Sequence, residues 1–377
     1  MDEEDGNFMF QWQNRLLPLA RFVKLMKGLS SLRDIYQVSK FMFEWQNQLF
    51  SLARFAKLMR VLPSVGDIYH VHGSFGDVYF QLAVLREVLR KEGEEFSVII
   101  DERYKRLTEV ALNSKAQVYF TESVALNSLL SSLGIVGRLE GLPIRMLPTL
   151  YPNCGEMIYA SKLQYSHFLR TLVMSNREGQ FDRIEDDVSL ESEALDIIVA
   201  TGCPPGKTVL ISADNNTHLE LPEHVWGWII EITQEMGWSI LLNDSGLNNT
   251  KSAVNLASCD LRRIKVPPHL PCTLARIAGA YISGTNGFAT IQALFSDRCR
   301  GLHFINGFNT ENGRQRDKGR NLVNLEHFFH SITWAETFLG IQTEVILDEK
   351  TDKAELTKII EIALNGPVGP DRPTQIA

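Results

Sequence analysis

The tightest constraint on this chain is a unit that occurs twice in its main body: a short apolar run, a glycine-bearing turn, then an apolar stripe at helical spacing. The first instance is DIYHVHGSFGDVYFQLAVLREVLRK, residues 67–91. There the run 68–71 breaks into His72-Gly73-Ser74-Phe75-Gly76-Asp77, and Val78, Leu82, Leu85, Val88 and Leu89 follow on one helical face. The second is YISGTNGFATIQALFS, residues 281–296, with Gly284-Thr285-Asn286-Gly287 as its turn and a helix expected from Phe288. Further apolar runs at 96–101, 116–120, 144–148, 208–213, 239–244 and 263–268 predict strands, and helices are expected from Pro222, over 274–280 and over 352–364. Alternation of this kind folds into doubly wound parallel sheets covered by helices.

The fold class expected is therefore α/β, with two Rossmann-like halves. The composition break TGCPPGKT, 201–208, marks the hinge, so the halves are assigned to 66–200 and 208–377 with 201–207 as linker. That break is not a phosphate-binding P-loop. Only three residues separate Gly202 from Gly206, two of them prolines, and the strand comes after the motif instead of before it. Residues 150–200 are less regular, and Glu185-Asp186-Asp187 within them reads as a solvated acidic surface.

Residues 1–65 form a separate extension. Positions 8–38 recur at 41–71 with a constant offset of 33 and 20 of 31 residues identical, which is a tandem duplication. Two copies are too few for a solenoid. Each copy predicts an amphipathic helix: Leu16, Leu19, Phe22, Val23 and Met26 share a face in the first, with Arg15, Arg21, Lys24 and Lys27 on the polar side. Arg54, Lys57 and Arg60 play that part in the second copy. Basic helices carrying Trp12 and Trp45 suit an anionic membrane surface. Packing on the first half or against another subunit is the more common fate of such stripes.

The bulk numbers exclude several classes. A formal charge of −7 argues against a general nucleic-acid binder. Five scattered cysteines without a C-x-x-C pair argue against a disulfide framework or zinc site and fit a reducing cytoplasm. No apolar run approaches the roughly 20 residues of a membrane span, and the acidic start Met1-Asp2-Glu3-Glu4-Asp5 is unlike a secretory signal.

Asp77 supports two readings. It is placed to cap the helix that follows it, since a carboxylate there accepts bonds from free amides and suits the helix dipole. It is also placed as a catalytic base, at the strand's carboxyl end where open α/β sheets bind ligands.

Three segments resemble the ADP-heptose:lipopolysaccharide heptosyltransferase family of GT-B glycosyltransferases. GSFGDVYFQLAVLREV is similar to the family's first turn, in which an aspartate is the base, and this carries over to Asp77. ISADNNTHLELPEHVWGWII is similar to its second-domain opening, a polar loop before a Trp-Pro-x-x-His/Phe helix. LARIAGAYISGTNGFATIQALF is similar to its donor-binding Asp-[ST]-Gly segment. The departures are specific. The family's lysine ahead of the Trp-Pro pair has Leu219 near its place, with His218 the nearest cation. Thr285 replaces the acidic residue, and Thr290 the histidine three residues beyond the glycine.

The resemblance implies an inverting, metal-independent transfer of a sugar from a nucleotide-sugar donor, ADP-heptose or another, to a glycan or other hydroxyl acceptor. Donor contacts are expected at Asn215, Asn216, His218, Glu223, Thr285, Asn286, Gly287 and Thr290, and acceptor contacts at His72, Ser74, Gly76, Asp101 and Arg103. Arg314 and Arg316 are candidates for phosphate contact. No resident cofactor or metal is expected, and the inner membrane face is a natural workplace. The alternatives are a transferase with another donor sugar acting on protein or capsule, and a non-catalytic scaffold of the same fold.

Overall fold

The structure is a computed structural model. It describes residues 67–91, 95–113, 115–121, 137–138, 144–147, 149, 173, 184–185, 188–213, 221–244, 261–295, 299–308, 314–316, 322–324 and 341–365. The duplicated extension and the loop 214–220 lie outside the described residues. All the described residues belong to one compact unit, Val65–Glu122 with Gly134–Ala377.

The first sheet is built around β1 (Asp67–His70), which leads into α1 (Phe75–Lys91) and then β2 (Phe96–Asp101). A 3₁₀ turn at Glu102–Tyr104 and α2 (Lys105–Leu112) connect to β3 (Gln117–Thr121). The chain then crosses to the other side of β1 with β4 (Gly137–Arg138) and β5 (Ile144–Met146). The resulting order is β3-β2-β1-β5-β4, parallel except for the antiparallel edge pair β4–β5. Apolar residues of α1 and α2 cover one face, with Val78, Leu82, Leu85, Val88, Leu107 and Ala111 all buried. The stripe expected for α1 is therefore its core face.

The second sheet is reached through α3 (Val188–Ala200), a helix inside the segment that lacked a clear pattern. Then come β6 (Thr208–Ser212), α4 (Glu223–Glu235), β7 (Ser239–Asn243), β8 (Arg262–Ile264), α5 (Pro271–Ala278), β9 (Gly279–Gly284), α6 (Gly287–Phe295) and β10 (Arg300–Asn306). A two-stranded antiparallel hairpin follows, β11 (Arg314–Arg316) with β12 (Leu322–Asn324), then β13 (Ile341–Leu347) and α7 (Lys353–Asn365). The order is β13-β10-β9-β6-β7-β8, parallel throughout.

Alternation along its strands sends side chains to two separate cores, as a sheet buried on both faces requires. Val209, Ile211, Ile240, Leu242 and Ile282 meet α4 and α7 on one face. Leu210, Leu241 and Tyr281 meet α3 and α5 on the other. Segment 201–207 joins α3 to β6, two elements sharing that second core. It is held there by the Gly206 N–H donating to Ile277 O at 2.9 Å and by the Arg262 guanidinium donating to Gly202 O.

One element boundary and one surface reading differ from the sequence expectation for physical reasons. α5 ends at Ala278, two residues earlier than its apolar pattern suggests, because Gly279 takes a left-handed φ of 115° and starts β9. A side chain there would also strike the backbone of Gly206 at 2.7 Å. Glu185 is not part of a solvated acidic surface, because its carboxylate is turned inward.

Both sheets wind outward from a central strand in two directions. The order reverses between β1 and β5 in the first and between β6 and β9 in the second. Those two switch points are where crevices open at the carboxyl ends of parallel strands.

Candidate functional site

Each switch point carries one of the two glycine turns. In the first, Ser74 is the N-cap of α1, its C=O accepting from the Val78 N–H at 3.0 Å. Asp77 stands at the third helical position and reaches back. Its Oδ2 accepts the Ser74 N–H at 3.0 Å and the Ser74 hydroxyl at 2.6 Å. This is half of a capping box, so the capping role is present. It does not exclude the other one. A carboxylate that accepts two bonds keeps further lone pairs to take a proton. Asp77 is 6% exposed and lies against Gly73, whose φ is 112°. A Cβ on Gly73 would fall 2.9 Å from Asp77 Oδ2 and 2.6 Å from Thr149 Cγ2. Thr149, beyond β5, is thus the wall opposite Asp77, and it is buried. Sequence reasoning missed it because nothing local marks a threonine three residues beyond a three-residue strand.

His72 lies at the end of β1, stacked on His70 with ring centroids 4.8 Å apart. Its backbone is clasped by Gln81, which accepts the His72 N–H at 3.0 Å and donates to its C=O at 3.1 Å. Burial lowers the imidazole pKa below its ordinary value, and a hydrogen bond with the Leu147 backbone opposes that shift. Gln81 is a further contributor outside the expected set, one helical turn beyond Asp77.

Asp101 caps the 3₁₀ turn, accepting the Arg103 N–H at 3.0 Å, and pairs with the Arg103 Nε at 3.5 Å. The Arg103 guanidinium lies over the Tyr104 ring, 4.8 Å from its centroid. Tyr104 senses the whole group. Burial raises its hydroxyl pKa, Arg103 lowers it, and Asp101 and Asp77 raise it further. The structure therefore brings His72, Ser74, Gly76, Asp77, Asp101 and Arg103 to the carboxyl end of one sheet.

In the second turn Asn286 is the N-cap of α6, its Oδ1 accepting the Ala289 N–H at 2.9 Å. Its Nδ2 donates to Ser212 O at 3.0 Å, and Ser283 Oγ lies 3.1 Å from both Ser212 O and Asn286 Oδ1, its single proton shared among neighbouring acceptors. Asn243 Nδ2 donates to Ser212 Oγ at 3.2 Å. This network ties the ends of β6, β7 and β9 together and engages both ends of the Asn286 amide. Ser212 and Asn243 carried no signal in the sequence beyond their place at strand ends.

The turns themselves meet. A Cβ on Gly76 would lie 3.0 Å from Gly287 Cα, and one on Gly287 would lie 2.9 Å from Gly76 N. Only residues without side chains permit backbones to come this close.

The remaining candidates are more scattered. Glu223 is exposed in the first turn of α4, suited to the helix dipole there. Thr285 is half-buried in the turn before α6, and Thr290 is within that helix. Arg314 and Arg316 occupy alternate positions of β11, across from Asn324 and Leu322. Asn215, Asn216 and His218 lie outside the described residues. Among the described residues, no group of three or more His, Cys, Asp or Glu is placed to hold a metal ion, and no helix is long and apolar enough to cross a membrane.

No family model matches the sequence, and no curated protein does. Solved structures match in fold. E. coli ADP-heptose LPS heptosyltransferase II aligns over 80% of this chain and 99% of its own at 9% identity, with a TM-score of 0.52. E. coli heptosyltransferase WaaC with ADP aligns over 79% and 99% at 12% identity and 0.48. A glycosyl transferase family 9 protein from Veillonella parvula aligns over 80% and 90% at 11% identity and 0.48. With its two parallel-sheet α/β regions, the chain has a GT-B, heptosyltransferase-like fold.

Proposed function

We propose that the chain is an inverting, metal-independent glycosyltransferase that moves a sugar from a nucleotide-sugar donor to a hydroxyl acceptor, with Asp77 as its base. The observation that carries this reading is the placement of a buried carboxylate at the first switch point, one residue from the Gly76–Gly287 contact that brings in the second. The acceptor hydroxyl gives its proton to the Asp77 carboxylate as its oxygen bonds to the anomeric carbon. The bond from that carbon to the diphosphate oxygen breaks, and its electron pair leaves with the nucleotide. A single displacement inverts the centre. Backbone amides at the start of α6 favour the departing negative charge, and loop residues Asn215, Asn216 and His218 are assigned to the same task. No resident cofactor takes part, and the nucleotide sugar is a co-substrate.

The fold neighbour named for ADP-heptose makes that donor the first to try. Leu219, Thr285 and Thr290, standing where the family's lysine, acidic residue and histidine are, leave the sugar to experiment. Contact of residues 8–65 with an anionic membrane would fit a lipid-linked acceptor and belongs to the same proposal.

The bonds from Ser74 to Asp77 Oδ2 favour one other reading, a non-catalytic scaffold in which Asp77 only caps α1. Thermal shift with ADP-, UDP-, GDP- and CMP-sugars separates the two, since a scaffold binds none. Asp77→Asn then tests the base. Asparagine keeps an oxygen for the Ser74 N–H and loses the basicity, so kcat should fall roughly 10²–10⁴-fold in a folded protein. Undiminished transfer would remove Asp77 from the mechanism.

A further inference from the structure

A residue outside both turns bonds to the helix that carries the first and to a helix bonded to the one that carries the second. Glu185 precedes α3, and its carboxylate receives donors from two different parts of the fold. Oε1 accepts the Tyr79 hydroxyl of α1 at 2.8 Å and the Cys272 N–H of α5 at 3.1 Å, and Oε2 accepts the Thr273 N–H at 2.6 Å. α5 needs this. Its N-cap is Leu270, which offers no side-chain bond, and its first residue is Pro271, so Cys272 and Thr273 present the first free amides. Glu185 supplies from a distant segment the cap that α5 lacks. Burial pushes its carboxyl pKa up while the donors hold it down, and the Tyr79 hydroxyl is raised far above its ordinary value.

The circuit closes through α6. Gln292 on that helix donates to Pro271 O, in the first turn of α5, at 2.6 Å. The start of α6, Gly287, touches Gly76 on α1. Tyr79 is two residues past Asp77 on α1 and has no exposed surface. Cys272 and Ile291, from α5 and α6, complete the apolar core of the first half alongside Tyr79 and Val78. The path from α1 through Glu185, α5 and α6 back to α1 therefore encloses the turn that bears Asp77.

We infer that Glu185 is a positioning residue: by joining Tyr79 to the start of α5 it sets how closely the Asp77 turn approaches the α6 turn. This rests on the transferase reading for its kinetic consequence but not for its structural one. A bond that fixes the approach of two reacting groups acts on turnover, whereas a site lying wholly in one half would keep its affinity for donor.

The test is Tyr79→Phe, which removes one hydroxyl and leaves the Glu185–α5 bonds in place, compared with Glu185→Gln, which disturbs both. Hydrogen exchange read by mass spectrometry is the first measurement. In Tyr79→Phe, amides of 74–79 should exchange faster than in wild type, with 271–278 unchanged. In Glu185→Gln both segments should speed up. Turnover is the second. Tyr79→Phe should lower kcat about tenfold with the donor KM held within about twofold, and Glu185→Asp, one methylene shorter, should not restore a Glu185→Gln loss in full. Wild-type exchange at 74–79 in Tyr79→Phe would overturn the inference. So would faster exchange accompanied by unchanged kcat. If wild type transfers no sugar from any donor, the transferase reading fails, and the exchange pattern alone decides whether Glu185 positions the Asp77 turn.

Discussion

The two strand-to-helix turns share a plan and differ in the chemistry that completes it. In the first, the polar residue is a carboxylate at the third helical position, reaching back to Ser74. In the second it is an amide at the N-cap, reaching forward to Ala289 and across to Ser212. A carboxylate only accepts, so it can bind its own turn and still be a destination for a proton. An amide accepts and donates, so it can stitch neighbouring strands. The first turn is thereby suited to proton transfer. The second is a cross-strand frame in which the Asn286 amide is engaged at both ends.

The largest effect expected from this difference is catalytic. Asp77→Asn should lose roughly 10²–10⁴ in kcat, a barrier change of about 3–5 kcal/mol. The reverse exchange, Asn286→Asp, should act on stability. Comparable behaviour of the two would break the distinction.

The next effect sets the turn glycines against each other. Gly73→Ala meets a left-handed φ and a 2.6 Å clash with Thr149 and should cost about 3 kcal/mol or more by chemical denaturation. Gly284 is equivalent in sequence, yet a Cβ there would find only ordinary contacts, at 3.6 Å to Trp226 and 3.7 Å to Ala213 O. Gly284→Ala should stay within about 1 kcal/mol of wild type. Equal losses would mean that the two turns are strained alike.

Asn286→Asp sharpens the comparison further. Aspartate caps a helix as well as asparagine does, so a cap-only role predicts little change. Its carboxylate cannot donate to Ser212 O, however, and would set an acceptor against a buried acceptor, costing about 1–3 kcal/mol. Denaturation midpoints of Asn286→Asp and Asn286→Ser, read together, separate the cap from the cross-strand tie.

The strands at 96–101 and 208–212 and the helix bearing Val78 were legible because apolar runs and stripes report burial directly. The helix at 188–200 was not. Its buried face is the narrow line Leu190, Ala194, Ile198, while Val188 and Val199 are exposed and blur the period. Asp77 stayed ambiguous for a different reason: capping and base chemistry call for the same residue type in the same place. In Glu185-Asp186-Asp187, three adjacent carboxylates look alike in the sequence. What turns Glu185 inward is a tyrosine 106 positions earlier and two amides 87 and 88 positions later. Contacts at that separation leave no local pattern. The Asn286–Ser212 tie, 74 positions apart, was hidden in the same way.

The smallest effect is a titration, and it tests whether the two turns differ in their response to pH. His72 borders the first turn, and burial holds its folded pKa below 6.5. Between that lowered value and 6.5 the unfolded chain binds the proton more readily, so stability falls as pH drops through this window and is fully present above 6.5. The second turn is framed by Ser212, Asn243, Ser283 and Asn286, none of which titrates there. The stability difference between wild type and His72→Asn, measured by denaturation at pH 7.5 and again below 6, should therefore shrink on acidification. The difference between wild type and Asn286→Ser should hold constant across the same range. A His72 difference that grows as pH falls would mean that the imidazole is charged in the fold, and the first turn would then carry a cation beside Asp77 in place of a neutral ring.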